Sequence, residues 1–281
     1  MLRKNKLEKT SLKINRKSIK KLFSVLEKIN TFFLDALFPI ACLACGKKDV
    51  WLCEKCVGTF SLSSFQLCPY CEYAITENGK ICERCKKQQF EKNSYLPLSA
   101  LICATDYQRI AKFVHLFKYN FVIDLGAPLG KIIAKALQKN NLPLPDLIIP
   151  IPIHKRKLKW RGFNQAEILA NSVSQNLTPG LPLPVRTDLV FRQKKTKVQM
   201  KIKNYHERLA NLRDAFAIRP ARNTTHSVAG GPQAENTISG KKILLIDDVA
   251  TTGATLFECA KILKAAGAKE VTGAIIARQK I

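Results

Sequence analysis

The sequence predicts an α/β protein built around a mainly parallel sheet, preceded by a small metal-binding module. Two observations support this fold class. After Ser94, apolar strand-like segments alternate with amphipathic helical ones, and this alternation is typical of parallel strands joined by helical crossovers. Before that point, residues 42–85 hold eight of the ten cysteines, all in C-x-x-C pairs. We therefore expect two regions with different sources of stability.

Local patterns place the elements of the larger region along the chain. Short apolar runs predict strands, and apolar residues at three- and four-residue intervals predict helices. The predicted strands are 95–107, 146–153, 188–192, 241–247 and 270–279. The predicted helices are 110–119, 126–138, 163–177 and 253–268, and 204–216 is predicted as a helix that passes into a strand. Residues 221–239 are rich in Gly, Ser, Thr and Asn and predict a long loop.

We expect three regions along the chain: a basic tail and amphipathic helix at 1–38, the cysteine module at 39–92, and the α/β domain at 93–281. The amphipathic segment has apolar residues at helical spacing. These are Leu22, Leu26, Ile29, Phe33 and Leu37. Such a helix can pack on a neighbouring domain, lie on a membrane surface, or bind DNA through its basic flank.

The charge of the chain is strongly basic. It has 47 Lys and Arg against 21 Asp and Glu, a formal net charge of +26. This excess favours a polyanionic partner such as nucleic acid or an anionic membrane, although a lysine-rich proteome would also produce it. No apolar run reaches the ~18 residues of a transmembrane helix, and no signal peptide is recognisable. We expect a cytoplasmic protein, where paired cysteines serve as metal ligands more often than as disulfides.

The cysteine pattern predicts two structural zinc sites. A C-x-x-C knuckle directs two sulfurs to one point, and two knuckles complete a tetrahedral thiolate site. The predicted ligands are Cys42, Cys45, Cys53, Cys56, Cys68, Cys71, Cys82 and Cys85. Spacing leaves both sequential and interleaved pairing of the knuckles open. Because four cysteines fill the coordination sphere, the sites are expected to be structural, and the remaining Cys103 and Cys259 are expected to be core residues.

The segment "KKILLIDDVATTGATLFECA" (241–260) carries the predicted ligand site. Ligands of open α/β sheets bind beyond the carboxyl ends of the strands, which is where Asp247 and Asp248 are expected. The residues after them open a helix whose first amides and threonine hydroxyls suit a phosphate. Carboxylates repel phosphate but accept hydrogen bonds from the vicinal hydroxyls of a ribose. The pattern predicts a ribose-5-phosphate site, and a P-loop sequence is absent.

The stretch "LLIDDVATTGATL" resembles the phosphoribosyl-pyrophosphate (PRPP) motif of type I phosphoribosyltransferases. The segment "PIPIHKRKLKWRGFNQAEILA" and the zinc-ribbon start "LFPIACLACG" are similar to the ComF family of competence proteins. So is the spaced pattern Thr196, Gln199, Arg208 and Asn211. The resemblance runs from about Leu34 to the C-terminus. It implies a type I phosphoribosyltransferase fold with a hood, preceded by a double zinc ribbon.

The resemblance also implies roles for individual residues. Asp247 and Asp248 would bind the ribose hydroxyls. The 5-phosphate would lie against Ala250, Thr251, Thr252, Gly253, Ala254 and Thr255. Pyrophosphate would face the turn after the buried strand, with Lys159 and Arg161 as the first candidates and Lys155, Arg156 and Lys157 as weaker ones. Residues 192–203 correspond to the mobile hood that covers PRPP and excludes water.

Two functional hypotheses follow from this resemblance. The first is a PRPP-binding protein of DNA uptake in natural transformation, which binds single-stranded DNA and meets DNA-uptake helicase or processing proteins, either in the cytoplasm or against the inner face of the membrane. The alternative is an active phosphoribosyltransferase of nucleotide or cofactor metabolism, with Mg²⁺ on the pyrophosphate. In either case positioning and charge replace a covalent nucleophile. Among the histidines only His154, beside the basic turn, is a weak candidate for a base.

Overall fold

The structure is a computed structural model, and it describes residues 40–92, 96–194, 212–219 and 237–279. The chain divides into two compact units at Trp51 and Leu52. The predicted tail and helix at 1–38 lie outside the described residues, as do hood residues 195–203 and most of the loop at 221–239. So do Thr196, Gln199, Arg208 and Asn211. The predicted boundaries after residues 38 and 92 therefore stay predictions.

In the first unit, the described residues 40–51 form a tight turn. The Cys42 amide donates to the Lys47 carbonyl at 2.7 Å, and Ala41 bridges Lys48 in antiparallel fashion. The Gly46 amide also returns to the Cys42 carbonyl at 2.8 Å. These backbone bonds shape the segment that carries the first C-x-x-C pair.

The second unit contains the regular elements named below. Its helices are α1 (Glu54–Gly58), α2 (Glu83–Lys92), α3 (Tyr107–Tyr119), α4 (Gly126–Lys139), α5 (Lys155–Arg161), α6 (Gln165–Leu177) and α7 (Ala254–Ala265). Its strands are β1 (Gln66–Leu67), β2 (Ile75–Thr76), β3 (Ala100–Asp106), β4 (Leu147–Pro150), β5 (Val190–Arg192), β6 (Phe216–Ile218), β7 (Lys242–Ala250) and β8 (Glu270–Arg278). Short 3₁₀ turns lie at Glu77–Gly79 and Ile123–Leu125. None of the helices in the described ranges combines the length and apolarity that crossing a membrane requires.

A parallel sheet of four strands organises the second unit, in the order β3-β8-β7-β4. Helix α4 packs on β3 and β8, α6 on β4 and β7, and α7 on β7 and β8. Four consecutive residues of β7, from Ile243 to Ile246, are buried. Since neighbouring strand residues face opposite sides, helices must cover both faces of this strand. The predicted α/β fold is confirmed.

Strand β7 continues beyond the end of one of its neighbours. It pairs with β4 only as far as Ile246, opposite Pro150. On its other side it pairs with β8 up to Ala250, opposite Arg278. The prediction that this strand ends at Asp247 is wrong, because β8 also supplies partners for Val249 and Ala250. The extension leaves one side of β7 open at the carboxyl edge of the sheet.

The segment after β4 differs from the sequence prediction. It was expected to be a turn, but residues Lys155–Arg161 form helix α5. Nδ1 of His154 accepts a hydrogen bond from the Arg156 amide at 3.2 Å and so caps the helix, which ends at Gly162. The run "KRKLKWR" contains no glycine, proline or β-branched residue to oppose a helix. This change decides which basic side chains share a face.

A glycine allows the close approach of α4 and α6. A Cβ on Gly130 would lie 2.4 Å from the Ser172 Cβ and 3.0 Å from the Leu169 carbonyl oxygen. We expect Gly130→Ala to lower the free energy of unfolding by about 1–3 kcal/mol, because one helix must shift to admit the methyl group. Chemical unfolding followed by circular dichroism measures this loss. Gly58→Ala is the matched control, since no atom lies within 4 Å of its Cβ; equal curves for Gly130→Ala and wild type would contradict the packing.

Candidate functional site

Two adjacent carboxylates lie where β7 passes the end of β4. Asp247 and Asp248 follow Ile246, the last β7 residue paired with β4, and both remain within β7. Because side chains alternate along a strand, the two carboxylates leave opposite faces of the sheet. Asp248 is buried and Asp247 partly buried. The predicted ribose residues therefore occupy the carboxyl edge of a parallel sheet, where ligands of such folds bind.

Asp248 is held in its charged form by a lysine from α3. Nζ of Lys118 lies 2.9 Å from Asp248 Oδ1, which also accepts the Val249 amide at 2.6 Å. Burial on its own would raise the pKa of Asp248, but the Lys118 ammonium and these hydrogen bonds lower it below the usual value. Asp248 is thus a buried hydrogen-bond acceptor that stays ionised.

Asp247 has the opposite tendency. Burial and the neighbouring charge of Asp248 raise the pKa of Asp247 to about 7, against the smaller effect of Lys118. Its Oδ1 accepts the Asp248 amide at 2.9 Å. Two adjacent carboxyl groups with different pKa values can together accept hydrogen bonds from two hydroxyls once Asp247 is ionised.

A tight loop connects β7 to α7. Gly253 occupies the N-cap position with φ +68°, a left-handed conformation that favours glycine. A Cβ there would also approach the Phe257 ring to 3.1 Å. Buried Thr252 accepts the Ala254 amide through Oγ1 at 3.4 Å. The helix start has no capping side chain on Gly253, so its first turn offers the dipole and amides that suit a phosphate.

Helix α5 brings two cations to the carboxylates. Lys157 and Arg161 are four residues apart and share one helix face. Lys157 is an exposed residue, but partial burial of its ammonium and the charges of Arg161 and Lys118 lower its pKa. Burial also lowers the pKa of Arg161, and the charge of Asp248 opposes this. Lys159, the other first candidate for pyrophosphate, is exposed and lies two residues from each of them, off their shared face.

Two buried donors beside the site have no hydrogen-bond partner among the described residues. Arg161 is 7% exposed and donates through Nη1 to Gln165 Oε1. Its Nε, and Nε2 of Gln165, make no hydrogen bond within the described part of the chain. A buried donor without a partner costs about 1–3 kcal/mol, so this arrangement suits an anionic or oxygen-rich ligand that accepts from both groups.

The start of the predicted hood also reaches this region. Strands β5 and β6 form an antiparallel pair in which Arg192 lies opposite Phe216, with its guanidinium 5.4 Å from the ring centre. Burial lowers the pKa of Arg192 and the charge of Asp247 opposes it. Arg192 therefore interacts electrostatically with Asp247, Arg161 with Asp248, and Lys118 with both carboxylates.

The eight predicted zinc ligands fall into two sets of four. Within each set the sulfur atoms lie within 4.8 Å of one another, and the pairing is sequential. The first set is Cys42, Cys45, Cys53 and Cys56, and the second set is Cys68, Cys71, Cys82 and Cys85. Tetrahedral zinc with ~2.3 Å bonds places neighbouring sulfurs about 3.8 Å apart. The 3.7 Å between the sulfurs of Cys71 and Cys82 fits this geometry.

Residues next to the ligands of the second cysteine set contact the elements on either side of the loop that follows β7. Tyr70, between two of the ligands, lies 4.8 Å from Phe257 of α7, measured between ring centres. Its hydroxyl accepts from the Leu98 amide and donates to the Leu98 carbonyl, at 2.9 and 3.1 Å. Glu72 pairs at 3.3 Å with Arg278, the β8 residue opposite Ala250. The segment of the second cysteine set thus contacts α7, which follows the candidate phosphate loop, and β8, which pairs with the last residue of β7 before it.

Lys118 and Gln165 were not singled out from the sequence. Lys118 lies at the end of α3, whose buried residues are Ile110, Phe113, Val114 and Phe117. A lysine beside such an apolar stripe commonly extends its ammonium to solvent, so the local sequence carries no signal for its role. His154, the weak candidate for a base, instead caps α5.

The profile of the Phosphoribosyl transferase domain matches residues 161–281. Competence protein F of Haemophilus influenzae is 28% identical over 78% of this chain and 87% of its own length. DNA utilization protein YhgH of Salmonella typhi is 26% identical over 78% of this chain and 93% of its own. Among solved structures, purine phosphoribosyltransferase from Pyrococcus horikoshii is 18% identical over 54% of this chain and 84% of its own, with a TM-score of 0.29.

The raised pKa of Asp247 predicts a pH-dependent effect of Asp247→Asn on stability. The unfolded carboxyl ionises near pH 4 and the folded one near pH 7, so between these values the unfolded state binds fewer protons and this group lowers stability as the pH rises. The stability of Asp247→Asn relative to wild type should therefore be greater at pH 8 than at pH 6, by about 1 kcal/mol. Urea unfolding at both pH values measures it.

Asp188→Asn is the matched control for that experiment. The Arg186 guanidinium lowers the pKa of Asp188, so this carboxyl is ionised at both pH values and its removal should change stability equally at pH 6 and pH 8. A pH-independent difference for Asp247→Asn would contradict the raised pKa.

The sulfur geometry predicts two zinc ions per chain. Cys82→Ser should bind one zinc ion instead of two, because only three of the four ligands in the second set remain. It should also lower the thermal midpoint by at least about 5 °C. Colorimetric titration of released zinc and a thermal melt measure both effects. Cys103→Ser, outside both sets, should keep two ions; two ions in Cys82→Ser would contradict the assignment.

Proposed function

This chain belongs to the ComF family, and from that premise we propose that it binds PRPP at the carboxyl edge of its sheet, binds single-stranded DNA and acts in DNA uptake. The observation that carries the proposal is the carboxylate pair of β7 lying beside an anion-binding loop and a group of cations. Its two relatives named above are a competence protein and a DNA utilization protein.

The parts of PRPP match the parts of the site. The ribose hydroxyls donate to Asp247 and Asp248, and Lys118 keeps Asp248 ionised for that role. The 5-phosphate lies in the loop 250–255, where a helix start offers amides. Pyrophosphate meets Arg161 and Lys157, and the unpartnered Nε of Arg161 gains an acceptor. Lys159 and the weaker candidates Lys155 and Arg156 remain available on the exposed part of α5.

If the protein is an active transferase, a nitrogen acceptor forms a bond to C1 of the ribose, and the bond between C1 and the pyrophosphate oxygen breaks, so that pyrophosphate leaves. Mg²⁺, when bound with PRPP, neutralises the leaving pyrophosphate. Lys157 and Arg161 orient the pyrophosphate, and the aspartates fix the sugar, so the reacting carbon is positioned in an electrostatically prepared site. Asp247 and Asp248 assist catalysis by holding the ribose and balancing positive charge on it. The resemblance implies that residues 192–203 form a hood, which would exclude water from the reacting carbon.

DNA contact is supported by the charge of the chain. A net charge of +26 favours binding to a phosphate backbone with an affinity that falls steeply with salt. We propose that the protein works in the cytoplasm or against the inner membrane face. We also propose three regions along the chain: a basic tail and helix at 1–38, a zinc module at 39–92 and a phosphoribosyltransferase domain at 93–281. DNA-uptake helicase or processing proteins are its proposed protein partners. The alternative function is an active transferase of nucleotide or cofactor metabolism.

Calorimetric titration tests the PRPP site directly. Zinc-loaded protein should bind PRPP with Mg²⁺, and the double variant Asp247→Asn/Asp248→Asn should bind at least about 100-fold more weakly, because two hydrogen bonds to charged acceptors are lost. Asp146→Asn is the control, since Asp146 lies at the amino end of the sheet and accepts the Lys242 amide. Equal affinity in the double variant would contradict the assignment.

Two further measurements separate the candidate functions. Titration of the same protein with labelled single-stranded DNA at two salt concentrations tests the DNA role, and salt-dependent binding is expected. Pyrophosphate release on addition of nitrogen acceptors tests the transferase. Release without DNA binding would favour the metabolic alternative over DNA uptake.

A further inference from the structure

We propose that three aromatic side chains beside the PRPP site form a stacking surface for the bases of single-stranded DNA. This aromatic shelf consists of Phe121, Trp160 and Phe163. The proposal rests on the DNA-binding function proposed above and identifies where bases are bound. Nothing in the site assigned to PRPP requires these rings.

The shelf extends from the core to solvent. Phe117 is fully buried, and its ring centre lies 6.1 Å from that of Phe163. Phe163 lies 6.3 Å from Phe121, and Phe121 lies 5.3 Å from Trp160, both pairs edge to face. Exposure rises along the series, to 37% for Phe121 and 66% for Trp160. The exposed rings are therefore held in place from below while their surfaces stay accessible.

The backbone of Phe121 is strained. It has φ +58°, a left-handed conformation that disfavours bulky side chains and is usually occupied by glycine after a helix. Here it follows the last turn of α3, where the Val122 amide returns to the Leu116 carbonyl at 3.2 Å. A glycine would make this turn without strain. Because Phe121 is 37% exposed, core packing alone does not account for the phenylalanine, and strain of this kind is concentrated at functional sites.

The charge around the shelf fits a nucleic acid. Trp160 belongs to α5, "KRKLKWR", which has five basic residues and no acidic one. Lys155, Arg156 and Lys159 are all exposed. A partner protein would be expected to bring acidic residues to such a surface, but a single strand supplies both phosphates for the cations and flat bases for the rings. Stacking requires unpaired bases, which excludes intact duplex as the ligand.

The shelf lies next to the proposed PRPP site but is not part of it. The Arg161 guanidinium lies 5.9 Å from the centre of the Trp160 ring, and Arg161 also contacts Gln165 on the buried side. A strand whose bases lie on the shelf would thus place its backbone along α5. The geometry assigns stacking to the rings and backbone contact to the exposed cations of this helix.

Intrinsic fluorescence of the full chain tests the shelf. The chain has two tryptophans, so a Trp51→Phe background leaves Trp160 as the only one. Zinc-loaded protein is titrated with oligothymidine of about 20 nucleotides, and Trp160 fluorescence should be quenched. Affinity, measured by anisotropy of labelled DNA, should fall at least about tenfold in Trp160→Ala in the native background, and Trp160→Phe should restore most of it. The salt dependence should be unchanged, because no phosphate contact is removed.

Phe121→Gly separates binding from folding. Removal of the ring should weaken DNA binding, whereas relief of the left-handed strain should keep or raise the thermal midpoint. Leu181→Ala, at a 73% exposed apolar residue outside the shelf, is the matched control and should bind DNA as wild type does. PRPP affinity should be unchanged in Trp160→Ala and Phe121→Gly.

The outcomes distinguish this proposal from the one on which it rests. If the wild-type protein does not bind single-stranded DNA, the DNA-binding function itself is overturned. Salt-dependent DNA binding that survives both shelf variants, without quenching of Trp160, would overturn the shelf and leave that function standing. Equal quenching by duplex DNA, or by free nucleoside at the same nucleotide concentration, would also overturn the assignment of strand bases to the shelf.

Discussion

Repulsion between two carboxylates on consecutive residues of a buried strand is the constraint around which the site is built. Asp247 and Asp248 cannot both ionise in an apolar environment without compensating charge. The two carboxyl groups therefore have different pKa values. Lys118 pairs with Asp248 at 2.9 Å and lowers the pKa of Asp248, whereas the pKa of Asp247 is raised to about 7. Lys157 and Arg161 of α5 and Arg192 of β5 then supply further positive charge.

The unequal lengths of the strands make this arrangement accessible. If β4 continued as far as β7, its backbone would occupy the space beside the aspartates. It stops at Pro150 instead, and the chain then enters α5, which returns Lys157 and Arg161 toward the open edge. The same edge holds the loop that ends at Gly253. Carboxylates, cations and an anion-binding helix start therefore share one side of the sheet because the parallel strands all end there.

The second cysteine set makes packing and ion-pair contacts near that edge of the sheet. Tyr70 and Glu72 flank ligand Cys71, and they contact Phe257 and Arg278 respectively. Phe257 lies against Gly253, and Arg278 is opposite Ala250 in the sheet register. The segment that carries this cysteine set thus contacts residues beside both ends of the candidate phosphate loop. A metal ion bound by the four cysteines would stabilise the geometry of that loop without taking part in its chemistry.

Local sequence determined much of the molecule. Alternating apolar runs predicted the strands and helices, C-x-x-C spacing predicted the thiolate sites, and the sequence "IDDVATTGAT" identified the carboxylates and loop. These features depend on residues close together in the chain, so periodicity and short motifs reveal them. The predicted roles in PRPP binding rest on the same motif.

Contacts between distant residues were decided only by the tertiary structure. Lys118 and Asp248 are 130 positions apart in the sequence, and no local pattern predicts that they form an ion pair. Spacing could not choose between sequential and interleaved cysteine pairing, because both satisfy the same knuckles. The change from turn to helix at α5 determined that Lys157 joins Arg161 on one face, while Lys159 faces elsewhere. Side-chain direction depends on the backbone conformation and its packing, so the sequence supplied the charged groups, and the fold selected which of them meet.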